Sequence, residues 1–151
     1  MALPEGIRVN DDGDVVFEGP SGQMLLSHVV MRAKFAQPFE PVLFLNPWLA
    51  ELATGLTQRV RARLGVRQDP PGTPLFGDDP RVRWEIAETI LLEAEHSGWW
   101  TWSREQRVDY IRNVACAPHP VSDETIEEVL FAVDDKIDGA RRLIAAADRD
   151  A

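Results

Sequence analysis

Two short pairs of side chains in this chain combine residue types and spacings that could do chemistry. Glu93 and His96 have the i, i+3 spacing that helical bundles use in di-iron sites, but such a site needs a second pair and further carboxylates. Cys116 and His119 bring a thiol near an imidazole. Cys116 is predicted at the end of a helix, where the helix dipole disfavours the thiolate that nucleophilic catalysis requires. Both pairs are therefore predicted to be structural or solvated, and no metal or cofactor is expected.

Three aspartates near the amino terminus, Asp11, Asp12 and Asp14, raise the possibility of a calcium loop. An EF-hand loop also needs a bidentate glutamate at its twelfth position, and that position here is Gly22. The stretch "NDDGD" has instead the composition of a tight turn. We expect it to connect two β-strands, "GIRV" and "DVVFEG", in a hairpin.

The next segments carry helix signals. Residues 23–37 are predicted as a helix with Ser21 as its N-cap, although the run "MLLSHVVM" also suits a third strand. A second helix begins with Asn46 as N-cap and ends at Gly65. Its apolar residues recur every four positions and are predicted to form its buried face: Trp48, Leu52, Leu56, Val60 and Leu64.

Three further helices follow a Pro/Gly-rich loop at 66–79. One runs from Asp79–Pro80 to Gly98, and a capping box of Ser103 and Gln106 starts the next. The last is predicted from about Ser122 to Ala147. Its apolar residues follow a 4-3-4-3 heptad rhythm typical of a helix packed lengthwise on another: Ile126, Leu130, Val133, Ile137, Ala140, Ile144 and Ala147.

These elements predict an α+β, mainly α fold, in which an amino-terminal β-hairpin is attached to a four- or five-helix bundle. The 151 residues suit a single domain, 1–151, with the loop 66–79 as the alternative internal boundary. With a single cysteine, neither an intramolecular disulfide nor a cysteine-based zinc site can form within the chain.

The formal net charge of -9 predicts that the protein does not bind nucleic acid directly, because an acidic chain repels phosphate. No apolar run approaches the roughly 18 residues of a membrane span, so no membrane association is expected. The first residues carry neither the basic nor the apolar region of a secretory signal, which favours the cytoplasm. The composition, heavy in alanine, arginine and aspartate, is typical of bacterial or phage genomes.

The stretch "EHSGWWTWSREQ" places three tryptophans at the predicted corner between two helices. Tryptophan packs into cores and is also enriched at interface hot spots. Because helical seams are present and catalytic motifs are absent, we expect a non-enzymatic protein–protein interaction or assembly component, with a protein partner or a homo-oligomer. The alternatives are a charge-based inhibitor such as a DNA mimic, and a small-molecule-binding domain with a tryptophan-lined pocket. The candidate contact residues are Trp99, Trp100, Trp102, Ile126, Leu130, Val133, Ile137, Arg59 and Arg63.

Overall fold

A computed structural model of the protein describes residues 2–66 and 68–150. Two strands, β1 (Ile7–Val9) and β2 (Val15–Phe17), precede the helices. The helices are α1 (Gly19–Phe35), α2 (Pro41–Phe44), α3 (Pro47–Leu64), α4 (Pro80–Ser97), α5 (Arg104–Tyr110) and α6 (Asp123–Asp150). A 3₁₀ turn, Trp99–Thr101, joins α4 to α5, and a π-helical segment, Ile111–Ala115, extends α5. The predicted α+β, mainly α fold with an amino-terminal hairpin is confirmed.

The hairpin closes through the turn chemistry of its aspartate-rich stretch. The side-chain oxygen of Asn10 accepts hydrogen bonds from the backbone N–H groups of Asp12 at 3.0 Å and Asp14 at 2.8 Å. Gly13 has a φ of 88°, a conformation that glycine adopts without strain. The strands pair antiparallel, with Ile7 opposite Phe17. The aspartates therefore belong to a hairpin turn, as predicted.

Helix α1 begins four residues before its predicted start at residue 23. Glu18 occupies the N-cap position and makes no side-chain capping bond, so the prediction of Ser21 as N-cap was wrong. The physical reason is that Pro20 suits the first helical turn, where its missing N–H costs nothing. The backbone N–H of Gly22 already donates to the Glu18 carbonyl at 3.2 Å.

Two glycines allow the hairpin to pack directly on the first turns of α1. The backbone N–H of Glu18, at the end of the hairpin, donates to the Gly6 carbonyl at 2.8 Å. A Cβ atom added to Gly22 would collide with the carbonyl oxygen of Gly6, and a Cβ on Gly6 would collide with the backbone nitrogen of Gly22. Close backbone approach therefore explains both glycines.

Replacing Gly22 by alanine is expected to destabilise the protein by about 1–3 kcal/mol, because two backbones in contact must separate. Gly55→Ala is the matched control: it lies inside helix α3, where an added Cβ meets nothing within 4 Å. That change should instead stabilise by about 0.5–1 kcal/mol through helix propensity. Chemical denaturation measures both. Equal stability of the two variants would contradict the close packing of hairpin and helix.

The ends of α3 and α4 follow local sequence signals. The Asn46 side chain accepts from the backbone N–H of Leu49 at 3.0 Å, and Gly65 ends α3 with a φ of 70°. Asp79 caps α4 by accepting from the backbone N–H two residues later, at 3.0 Å, and Gly98 ends it with a φ of 83°. The predicted starts and ends of both helices are confirmed.

Buried apolar side chains form two clusters. The smaller lies between α1 and α3 and contains Val30, Ala53 and Leu56. The larger draws on residues from both sides of the loop 66–79: Phe39, Phe44, Leu45, Ile86, Ala87, Ile90, Ala94, Trp99, Ile111, Ala115, Cys116, Ile126, Val129, Leu130 and Val133. The loop is tied to α6, because the Thr125 hydroxyl donates to the Gly77 carbonyl at 3.3 Å.

Candidate interaction surface

The tryptophan corner is part of the core. Trp99 is fully buried, and Trp100 and Trp102 are half-buried. The Trp99 ring lies 6.0 Å from that of Trp102 and 6.1 Å from that of Tyr110, between ring centroids. The predicted helix–helix corner is confirmed. None of its three indoles is among the exposed residues.

Arg107 fixes the conformation of this corner. Its Nε donates to the Trp99 carbonyl at 3.1 Å, and its guanidinium lies 5.4 Å from the Trp99 ring centroid and 5.8 Å from that of Trp100. The same guanidinium pairs with Asp134 of α6 at 3.8 Å. The predicted capping box of Ser103 and Gln106 is present. The corner is thus a joint held by its own hydrogen bonds.

The described part of the heptad seam on α6 is filled within the chain. Ile126, Leu130 and Val133 are 2%, 5% and 0% exposed and belong to the larger core cluster. These three residues are therefore unavailable to a partner of the folded protein. The side chain of Ile137 lies outside the described part of α6.

The acidic residues at the start of α6 are paired with arginines from other elements. Arg83, itself only 12% exposed, pairs with Glu128 at 2.5 Å and also contacts Glu124 at 3.9 Å. Further pairs join α6 to α5 and its π-helical extension: Arg104–Glu127, Arg107–Asp134 and Arg112–Asp123. Each pair offsets part of the negative charge of this face.

Helix α3 turns a different face inward from the one its sequence pattern predicts. Trp48 is 83% exposed, Leu52 45% and Leu64 64%, so these three residues face solvent. Of the predicted face, Leu56 is buried and Val60 half-buried. The prediction that this repeat forms the buried face was therefore wrong for most of its members.

The geometry of a straight helix explains the error. At 3.6 residues per turn, a repeat of four residues advances about 40° per step, so five members spread over about 160°. They cannot all face one neighbour. The buried positions are instead Ala50, Ala53 and Leu56, and of these Ala53 and Leu56 pack with Val30 of α1.

The solvent side of α3 carries an apolar half followed by a basic half. We call this the outer face of α3. Its members lie within about 80° of one another around the helix axis: Trp48, Leu52, Gly55, Arg59 and Arg63. Arg59 and Arg63 are exposed, and neither forms an ion pair within residues 2–66 and 68–150. Two of the predicted contact residues therefore lie on the same face as the most exposed tryptophan.

Two residues of the short helix α2, which precedes α3, are exposed as well. Val42 is 68% exposed and Leu43 37% exposed. The backbone N–H of Asn46, the cap of α3, donates to the Leu43 carbonyl at 3.4 Å, so α2 turns directly into α3. Trp48 follows within one turn. Four apolar side chains of α2 and the first turns of α3 are thus exposed.

A groove runs along one side of α3. It has a volume of about 670 Å³ and is lined by Glu51, Gly55 and Gln58 of α3, by Arg112 and Asn113, and by residues 117–120. Trp102 lines a groove of about 610 Å³ beside Tyr110, and Trp84 lines one of about 200 Å³, each supplying a single indole.

A fully buried lysine was not among the predicted functional residues. The ammonium group of Lys34 donates to three carbonyls, those of Phe44 at 2.8 Å, Val114 at 2.7 Å and Ala115 at 2.6 Å. All three lie at ends of helical segments, where carbonyls lack intrahelical partners. Burial lowers the pKa of Lys34 to about 8. With its three donors engaged, the amine joins α1 to α2 and to the extension of α5, and it is inaccessible to substrates.

The cysteine and histidine near this lysine are likewise packed. Cys116 is fully buried, and burial raises its pKa to about 12. His119 packs against two phenylalanines, 4.9 Å from the Phe76 ring and 4.5 Å from the Phe35 ring between centroids, and burial lowers its pKa. At neutral pH the pair is a protonated thiol and a neutral imidazole, neither of which is an activated nucleophile.

Raising the pH should reveal how much the buried Cys116 thiol contributes to the free energy of unfolding. The unfolded thiol ionises near its ordinary pKa of 9.0, whereas the folded thiol does so near 12. Its contribution is therefore complete below pH 9 and is lost on raising the pH towards 12, at about 1.4 kcal/mol per pH unit. Tyr110, with its pKa raised by burial to about 12, acts in the same sense. Lys34 acts in the opposite direction. Because its pKa is lowered in the folded protein, the free energy of unfolding rises as the pH increases from about 8 to 10.5.

Cys116→Ala removes the thiol part of this dependence. We expect the stability advantage of the wild type over the variant to fall by about 2 kcal/mol between pH 8 and pH 10.5. Denaturant titrations of both proteins at the two pH values measure it. A difference that does not change with pH would contradict the buried, protonated thiol.

Within the described residues, no group of three or more histidine, cysteine, aspartate or glutamate side chains is arranged to hold a metal ion, and no helix is long and apolar enough to cross a membrane. No known protein family, curated protein or solved structure matches the chain.

Proposed function

We propose that this protein is a non-enzymatic protein–protein interaction or assembly component of a bacterial or phage system, acting in the cytoplasm. The observation that carries the proposal is the exposure of Trp48, 83% of whose surface faces solvent on the outer face of α3. Tryptophan is the residue type most enriched among interface hot spots, and an apolar patch with a polar rim marks contact surfaces.

The residues around Trp48 support a contact surface, because Trp48 is not the only exposed apolar side chain in this part of the chain. Val42, Leu43 and Leu52 are exposed close to Trp48 in the sequence, and Arg59 and Arg63 follow along the helix. Aromatic residues and arginine are enriched at interfaces, whereas lysine and glutamate are depleted. A partner that covers this surface would remove apolar area from water, and each Å² removed contributes a gross free energy of about 25 cal/mol.

The chemically reactive groups support a non-enzymatic role. The Lys34 amine and the Cys116 thiol are fully buried, and the amine is bonded to three carbonyls. Neither group can reach a substrate without local unfolding. The arginine pairs along α6 lower its negative potential, so they give no support to a DNA mimic.

Photo-crosslinking in the native host tests the proposal. A benzophenone amino acid placed at Trp48 should give a discrete crosslinked product. The same probe at Leu92 is the matched control, because Leu92 is 70% exposed and belongs to α4 instead of the outer face of α3. A product at position 48 that is absent at position 92 supports the proposal. Equal products at both positions, or none at either, would sink it.

A further inference from the structure

Gly55 lies midway along the length of the outer face of α3, at the edge that borders the groove, and it has no role in the chain's own packing. Glycine is disfavoured inside helices, and an alanine Cβ at this position would meet nothing within 4 Å. The glycines of the hairpin junction, in contrast, are required by close backbone contact. A helical glycine at an open surface lets a second backbone approach closely there.

The residues on either side of Gly55 are complementary to each other. Glu51 precedes it by four positions, and Arg59 follows it by four. The two side chains lie about 12 Å apart along the helix axis, too far to pair within one α3. Both are exposed, and neither forms an ion pair in the described part of the chain. If two α3 helices cross antiparallel at Gly55, Glu51 of each copy meets Arg59 of the other.

The same antiparallel arrangement would place the exposed Trp48 indole over a small side chain of the other copy. Trp48 precedes Gly55 by seven positions, and Ala62 follows it by seven. In the antiparallel pair each indole therefore lies over the small side chain Ala62, with Arg59 and Arg63 of the other copy beside it. Arginine guanidinium groups stack favourably on indole faces.

We propose that a second copy of this chain covers the outer face of α3, forming a two-fold symmetric dimer whose α3 helices cross antiparallel at Gly55. The proposal rests on the proposed function and names the partner of the same surface. A two-fold interface must be self-complementary, and this face carries both members of the charge pair and both members of the indole–guanidinium pair. An unrelated partner would not require that symmetry.

Sedimentation equilibrium of the purified full chain over a dilution series tests the dimer. The wild type should show a mass rising towards twice the 17.0 kDa of the chain. Trp48→Ala should weaken association at least roughly tenfold, as truncation of a central aromatic residue does. Leu92→Ala is the control, since Leu92 is exposed on α4, and it should leave association unchanged. A monomer at every soluble concentration would overturn the proposal.

Charge reversal tests the antiparallel register. In Glu51→Arg and in Arg59→Glu, like charges would meet at both pairs, and each variant alone should associate roughly tenfold more weakly at low salt. An equimolar mixture should recover association, because each copy then supplies the charge that the other lacks. If the mixture does not recover association, or if neither variant weakens the dimer, the contact lies elsewhere and the antiparallel register is wrong.

A larger side chain at the crossing point tests the dimer independently of the charge pairs. Gly55→Leu should abolish dimerisation while its helical circular dichroism and unfolding transition stay at least as strong as those of the wild type, because leucine is a good helix former. A Gly55→Leu dimer of wild-type affinity would contradict the crossing. If crosslinking at Trp48 captures a different protein and the purified chain stays monomeric, the dimer is excluded while the proposed interaction role stands.

Discussion

Replacing Trp99 by alanine is expected to destabilise the protein by about 3–5 kcal/mol. Trp99 is among the largest of the fully buried side chains, and its ring packs against Trp102 and Tyr110 under the Arg107 guanidinium. Truncation would leave a large cavity at the joint of α4 and α5. Arg107 would lose its ring contact while its bond to the backbone at position 99 remained.

The chain offers a matched control for this loss. Trp48→Ala removes the same side chain from a site that is 83% exposed, so the unfolding free energy of the dilute monomer should change by less than about 0.5 kcal/mol. Urea denaturation followed by circular dichroism, which does not depend on tryptophan fluorescence, measures both variants. Similar losses in the two would contradict the placement of the tryptophans.

Replacing Lys34 by methionine is expected to cost about 3–5 kcal/mol, although methionine suits a buried site better than an ammonium group does. The loss arises from the carbonyls of Phe44, Val114 and Ala115, which accept from the amine and would be left buried without that donor. The side chain also lies 4.7 Å from the Phe35 ring centroid, so a contact between cation and ring disappears.

Arg32→Met is the control for the lysine substitution. Arg32 lies two residues earlier on α1, is exposed, and forms no ion pair among the described residues. Its replacement should change the unfolding free energy by less than about 0.5 kcal/mol. The two variants are compared by urea denaturation at pH 7. If Lys34→Met were as stable as Arg32→Met, the carbonyls would have found other donors and the account of this buried amine would be wrong.

The boundaries of α3, α4 and α5 could be predicted from sequence because caps are local. Asn46, Asp79 and Ser103 each accept from a backbone N–H two or three residues away, and Gly65 and Gly98 adopt positive φ at the ends. No distant residue is needed for these contacts. The tryptophan corner was predicted for the same reason, since Gly98 and Ser103 bracket it.

The face that a helix buries is not a local property. The four-residue repeat of α3 suggested an inner face, but the residues that are buried include Ala50 and Ala53, which add little to an apolar pattern because they are small. Large residues such as Trp48 stayed outside. Of the residues on the proposed outer face of α3, only Arg59 and Arg63 were among the contact residues predicted from sequence, because they stood out in an acidic chain.

Lys34 could not be predicted as a core residue because lysine is almost never fully buried. Its acceptors come from α2 and from the extension of α5, about ten and eighty positions away in the chain. A weak signal was present: Lys34 follows the buried Val30 by one helical turn on the same side of α1.

Hydroxyl-radical footprinting tests most directly whether the outer face of α3 is a covered surface. Oxidation of Trp48 and Leu52 is compared between dilute purified protein and the protein in concentrated native extract. Phe131 and Leu92, both 70% exposed on other helices, serve as internal references. We predict strong protection of Trp48 and Leu52 in the extract with unchanged oxidation of the references. Equal oxidation of Trp48 in both conditions would contradict the account.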